Sequence, residues 1–219
     1  MMAEKSMRNI LPPKEILKER LQSLAMLDAI LMPEWEERYF SFNNSWDTNE
    51  SMASMRDGEG NGYFIWLDKE GNIIGKLFDN KKPLNKIDIE ELFLKVPKKF
   101  DSFLTEPAFL LEDITFMFWS QSAEKEYTFE GFNGNLIFLD FLTTAENYYS
   151  WAKKYYEIEL DKHIVEKIFN FTPLTEEMIK KLNNELSLDD VWEDIDEITY
   201  PIEMNIRYSK EHKEQTPLL

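Results

Sequence analysis

The chain contains no cysteine, only two histidines and only seven glycines in 219 residues. Without cysteine there are no disulfides, thiolate nucleophiles, zinc–thiolate sites or iron–sulfur clusters. His163 falls in a predicted helix and His212 in a polar tail, which leaves little for a serine–histidine–aspartate site or a histidine-rich metal centre. No GxSxG elbow, HExxH pair, dinucleotide-binding glycine fingerprint or GK[ST] phosphate loop occurs, and no cofactor is expected. No apolar run approaches the roughly 20 residues that cross a bilayer. "NILPP" is broken by proline, so no secretion signal is expected. The expected location is cytoplasmic, away from membranes.

Basic residues are also scarce. There are 25 Lys and Arg against 42 Asp and Glu, a formal charge of −17. Phosphate backbones need clustered cations, so nucleic acid is not an expected partner. An acidic surface keeps a protein dissolved and draws in basic partners.

Aromatic residues are plentiful: 16 Phe, 9 Tyr and 6 Trp, enough for a packed core. Leu17, Leu21, Leu24, Leu27 and Leu31 follow helical spacing after Pro12 and Pro13, and Pro33 ends that helix. "EWEERYFSFNNSWD" predicts a first strand. "YFIWLD" and "NIIGKLF", joined by "KEG", predict a hairpin. Short helices are predicted at "DIEELFLKV" and "PKKFDSFLTE", and strands at "ITFMFWS", "EYTFEG" and the apolar run "NLIFLDFL". From Thr143 the pattern is helical: Thr143 and Glu146 have capping-box spacing, Thr175 is a predicted N-cap, and Ser187 is predicted to cap a last helix. The expectation is α+β: a largely antiparallel sheet of about five or six strands, an N-terminal helix and a C-terminal helical layer. One domain should span 1–202, strand-rich over 36–142 and helical over 143–198, with a frayed polar tail at 203–219.

"DGEGNGYFIWLD" tests the glycines. Laid on a calcium-loop pattern, it puts Asp57, Glu59, Asn61 and Asp68 at ligand positions. The flanks, however, read as strand rather than helix, and Asp replaces the usual Glu at the last position. The plainer expectation is a glycine-rich turn in which Asp57 and Asn61 bond nearby amides. Arg56 would pair with Asp57, Glu59 or an anionic ligand group.

The stretch "SWDTNESMASMRDGEGNGYFIWLDKEG" resembles a bacterial family of uncharacterised proteins with a tryptophan-containing segment, a "SMRDG-G" loop and an aromatic strand. "VPKKFDSFLTEPAF", "ITFMFWS", "YYSWAKKYYEIELD" and "PLTEEMIKKLNNELSLDDVWEDIDEITYP" extend the resemblance over about Leu27 to Pro201. It implies one domain and a signature that includes Trp46 and Met55–Gly60, and it implies no activity. The chain departs from the family at "LFDNKK", where relatives carry a "GFDHES"-type segment; a metal or acid–base role for that histidine is absent here.

Two acidic or aromatic stretches remain. In "LDDVWEDIDEI", Leu188, Val191, Trp192, Ile195 and Ile198 form an apolar stripe, with Asp189, Asp190, Glu193 and Asp194 among the acids outside it. The segment from Trp35 to Trp46 reads as core first and contact surface second. The leading expectation is a non-catalytic binding protein that meets a basic protein through an acidic face, using Trp46, Arg56, Asp57, Glu59, Asn61, Asp189, Asp190, Glu193 and Asp194. An immunity-type protein is its most concrete form, and the expected architecture is similar to that of SUKH-type immunity proteins. The alternatives are a carboxylate-dependent hydrolase with an aromatic-lined cleft and a calcium-binding module built on Asp57–Asp68.

Overall fold

The computed structural model describes residues 10–80, 86–131 and 136–203. Helix α1 (Lys14–Leu31) leads, followed by four strands: β1 (Phe40–Asp47), β2 (Glu50–Arg56), β3 (Asn61–Asp68) and β4 (Ile73–Asp79). Two short helices come next, α2 (Lys86–Phe93) and α3 (Asp101–Thr105), then β5 (Phe116–Ser120) and β6 (Thr128–Gly131). The chain closes with α4 (Ile137–Asp140), α5 (Ala145–Tyr155), α6 (Lys162–Phe169), α7 (Glu176–Leu182) and α8 (Trp192–Ile198). All six strands form one sheet in sequence order, each antiparallel to the next. The fold is α+β, and the predicted tail beyond residue 203 lies outside the described residues.

Both faces of the sheet are covered. Along β3, side chains alternate between two cores: Tyr63, Ile65 and Leu67 enter the larger, Phe64 and Trp66 the smaller. The same alternation divides Phe116 and Phe118 from Met117 and Trp119 on β5. The larger core lies under α1 and the C-terminal helices. From Leu21 to Leu31 every residue of α1 is buried, because this half of the helix is enclosed by β1, α6, α7 and α8. The smaller core lies under the segment around α2 and α3, where Phe100, Phe103, Phe109 and Ile114 are buried. At its centre Lys76 donates to the Leu110 carbonyl and lies 5.0 Å from the Phe78 ring centroid. Burial lowers its amine to about 8, against the pull of Asp113 and Glu112.

The structure departs from the sequence reading in several places. In "NLIFLDFL", whose first residue lies outside the described ones, residues 137–142 are helix and turn rather than a strand, with Leu139 and Leu142 fully buried and Asp140 exposed; a short apolar run fits either form. "ESMASMR" is β2, a strand with no β-branched or aromatic residue, held by pairing to β1 and β3. The N-cap of α5 is Thr144, which accepts from the Asn147 amide at 3.2 Å, one residue beyond the expected Thr143. Thr175 caps α7 as expected, accepting from the Met178 amide.

Candidate binding surface

The glycine-rich stretch is a turn, and the neighbouring hairpin supplies its duplicate. Asp57 Oδ1 accepts from the Glu59 and Asn61 amides, and Oδ2 from Asn61 Nδ2 at 2.6 Å. Eleven residues on, Asp68 Oδ1 accepts from the Asn72 amide and Oδ2 from Asn72 Nδ2, again at 2.6 Å. In each turn the Asp amide returns to the Asn carbonyl at 3.1 Å. Gly60 and Gly71 occupy equivalent positions with positive φ of 87° and 86°. Each Asn Oδ1 then takes an amide from the end of a neighbouring strand, Asn80 in one case and Ser122 in the other. The pattern is a device for closing an Asp-x-x-Gly-Asn turn.

This arrangement breaks up the proposed calcium set. Asp57 and Asp68 lie at opposite ends of β3, which at about 3.3 Å per residue puts them more than ~20 Å apart. Among the described residues, no group of three or more His, Cys, Asp or Glu is placed to hold a metal ion. Arg56 does not pair with Asp57 or Glu59; its guanidinium lies 5.7 Å from the Trp35 ring centroid. Trp46 is apart from all of these, stacked at 5.8 Å on Phe109 over the smaller core.

The acidic C-terminal stretch is arranged differently. Ser187 and Asp190 close a tight turn, the serine amide and hydroxyl donating to Asp190 Oδ2 at 2.7 and 2.6 Å. The helix therefore begins at Trp192 rather than just after Ser187. Leu188, Val191, Ile195 and Ile198 bury their side chains, as the stripe predicts. Asp190, Glu193, Asp194 and Glu197 then line a cavity of about 340 Å³. Its other walls are Ala29, Pro33, Trp35, Arg38, Leu186 and Val191. Trp35 is 55% exposed, a large apolar side chain at the rim of a strongly charged hollow. Asp189 is exposed next to Asp190 in the chain.

Arg38 organises the hollow. Its guanidinium makes a two-point contact with Asp194, while Nε reaches the Met32 carbonyl at 2.7 Å and Nη2 the Pro33 carbonyl at 2.8 Å. The last turn of α1 has no basic residue of its own, so Arg38 supplies the cation that a helix C-terminus favours. Asp194 is thereby committed to the fold. The Ser187 bonds hold the Asp190 carboxyl below its ordinary range. Partial burial pushes the Glu197 carboxyl up, and Asp194 adds to the push.

One buried carboxylate ties α1 to the start of β1, just after the Trp35–Glu37 turn. Asp28 on α1 is fully buried and accepts four hydrogen bonds. Oδ2 takes the Tyr39 and Phe40 amides at 2.8 and 3.0 Å, and Oδ1 takes the Tyr148 and Tyr156 hydroxyls, both at 2.9 Å. Burial raises its carboxyl to about 6, although all four donors pull the other way. The clamp pins the entry to β1 against α1, and so sets where residues 33–38 cross. Arg38 is a member of the site that the sequence reading passed over, and Trp35 was read as core before contact surface, because "EWEER" reads as the start of a strand and is instead a 3₁₀ turn at Trp35–Glu37.

No family model matches the chain, and no curated protein or solved structure does either. Among the described residues no helix is long and apolar enough to cross a membrane.

Proposed function

We propose that the chain is a non-catalytic binding protein whose hollow between Trp35 and α8 receives a basic segment of a partner protein. The observation that carries this is the junction of an exposed tryptophan with a cavity lined by four carboxylates. The cavity's one cation, Arg38, is ion-paired with Asp194 and also draws on Glu197, so the four carboxylates outnumber it. An apolar floor of Pro33, Leu186 and Val191 suits the aliphatic stem of a lysine or arginine, and the carboxylates suit its head. Exposed Glu34, Glu36 and Glu37 flank Trp35 in the chain and add to the negative field. An immunity-type protein that neutralises a basic toxin is the form that fits this reading most concretely.

The carboxylate-hydrolase reading would pair Glu197 with Asp190, whose carboxyls shift in opposite directions. The Asp190 shift is accounted for by its turn with Ser187, so the pair needs no catalytic explanation. The test is affinity capture of a basic protein from the native host at low and high salt, with the wild type and with Glu193→Lys/Glu197→Lys. Retention by the wild type at low salt, lost with salt and in the variant, is the expected result. Equal capture by both chains would refute the proposed surface.

A further inference from the structure

Two arginines of the chain show what the walls of the α8 hollow can hold. Arg38, a wall residue, sets its guanidinium against both oxygens of Asp194. Arg56, which is not a wall residue, lies with its guanidinium 5.7 Å from the centroid of the Trp35 ring. One contact is a fork on a carboxylate, the other a cation over an aromatic face. These are the two contacts in which a planar guanidinium differs most from an ammonium.

The remaining walls are of the same kind. Glu193 and Glu197 stand four residues apart on α8 and line the cavity together, a spacing that sets two like charges on one helix face. Burial and the charge of Asp194 push the Glu197 carboxyl up, and Arg38 offsets only part of that push. Trp35 is more than half exposed, and Pro33, Leu186 and Val191 add apolar surface. An ammonium is compact and strongly hydrated, so entering such a hollow strips it of water that three donors must replace. A guanidinium is weakly hydrated, spreads five donors over two carboxylates and lays its plane on an indole. We infer that the hollow selects arginine over lysine, the partner's guanidinium lying against Trp35 and directing its N–H groups to Glu193 and Glu197. The inference rests on the proposed docking of a basic segment here, and adds the side chain which that segment must carry.

The measurement is the fluorescence anisotropy of fluorescein-labelled deca-arginine and deca-lysine, equal in charge, titrated with the whole chain, with Trp35→Leu and with Trp35→Tyr at physiological salt. The wild type should bind deca-arginine about five- to tenfold tighter than deca-lysine. Trp35→Leu should lower that ratio at least about threefold, chiefly by weakening the arginine peptide. Trp35→Tyr keeps an aromatic face and should retain most of the ratio. Equal affinity of the wild type for the two peptides, or a ratio unchanged in Trp35→Leu, would overturn the arginine preference and leave an acidic docking site in place. Failure of both peptides to bind would overturn the docking site itself, and the preference with it.

Discussion

The Asp57–Asn61 turn and the α8 hollow are both rich in acid, and both look like sites in the sequence. They differ in where the carboxylates point their hydrogen bonds. In the turn, both oxygens of Asp57 are taken up by Glu59 and Asn61. In the hollow, Asp190 and Asp194 serve the fold through Ser187 and Arg38, whereas Glu193, and Glu197 beside Asn43, complete a concave surface next to an exposed tryptophan. Acid content therefore says little about binding until the acceptors have been assigned. Asp28 is the limiting case of a carboxylate that serves the fold alone, with four donors and complete burial.

The largest effect that would sharpen this contrast is at Asp28. Asp28→Ala leaves two amides and two tyrosine hydroxyls without their acceptor, and should cost about 3–5 kcal/mol in chemical denaturation. A loss below about 1 kcal/mol would show that the clamp is dispensable. Asp28→Asn is milder, because its oxygen can keep the two amides while the hydroxyls turn to accept from its amide group. That variant isolates the titration. A carboxyl raised to about 6 in the folded state stabilises the fold at low pH, and this contribution is lost as pH rises through 6. From pH 4 to pH 7 the wild type should lose up to about 3 kcal/mol relative to Asp28→Asn. Parallel pH profiles for the two chains would contradict the assignment.

A smaller effect distinguishes the turns. Asp57→Ala and Asp68→Ala remove the same set of bonds from duplicate turns, so each should cost about 1 kcal/mol and by similar amounts. A markedly larger loss at Asp57 alone would mark that loop as something more than a turn. The smallest effect belongs to the hollow: Glu193→Gln/Glu197→Gln should leave stability within about 0.5 kcal/mol of the wild type.

Much of this fold was legible from pattern. Helix α1, the β3–β4 hairpin, strands β5 and β6 and the Thr175 cap follow from spacing and turn chemistry that act locally. Strand β2 was not legible, because Ser51, Ala53 and Ser54 carry no strand preference and are held by partners; Ser54, for example, meets Ser41 across the sheet at 2.7 Å. "NLIFLDFL" misled because a short apolar run carries too few polar positions to tell a strand from a helix by period. At the candidate site, the acids of α8 were visible in the sequence, but their union with Trp35 and Arg38 spans more than 150 positions of chain. It depends on a clamp whose members, Asp28, Tyr148 and Tyr156, have no local signature.

The most direct test of the acidic hollow compares two variants of equal charge change. Glu193→Lys/Glu197→Lys alters the hollow, and Glu91→Lys/Asp101→Lys alters exposed acids in the layer over the opposite face of the sheet. Each would be titrated with a fluorescein-labelled deca-arginine peptide at physiological salt. The account predicts that the first pair weakens binding at least about tenfold more than the second. Equal losses would show that the peptide answers only to net charge, and would contradict a docking site between Trp35 and α8.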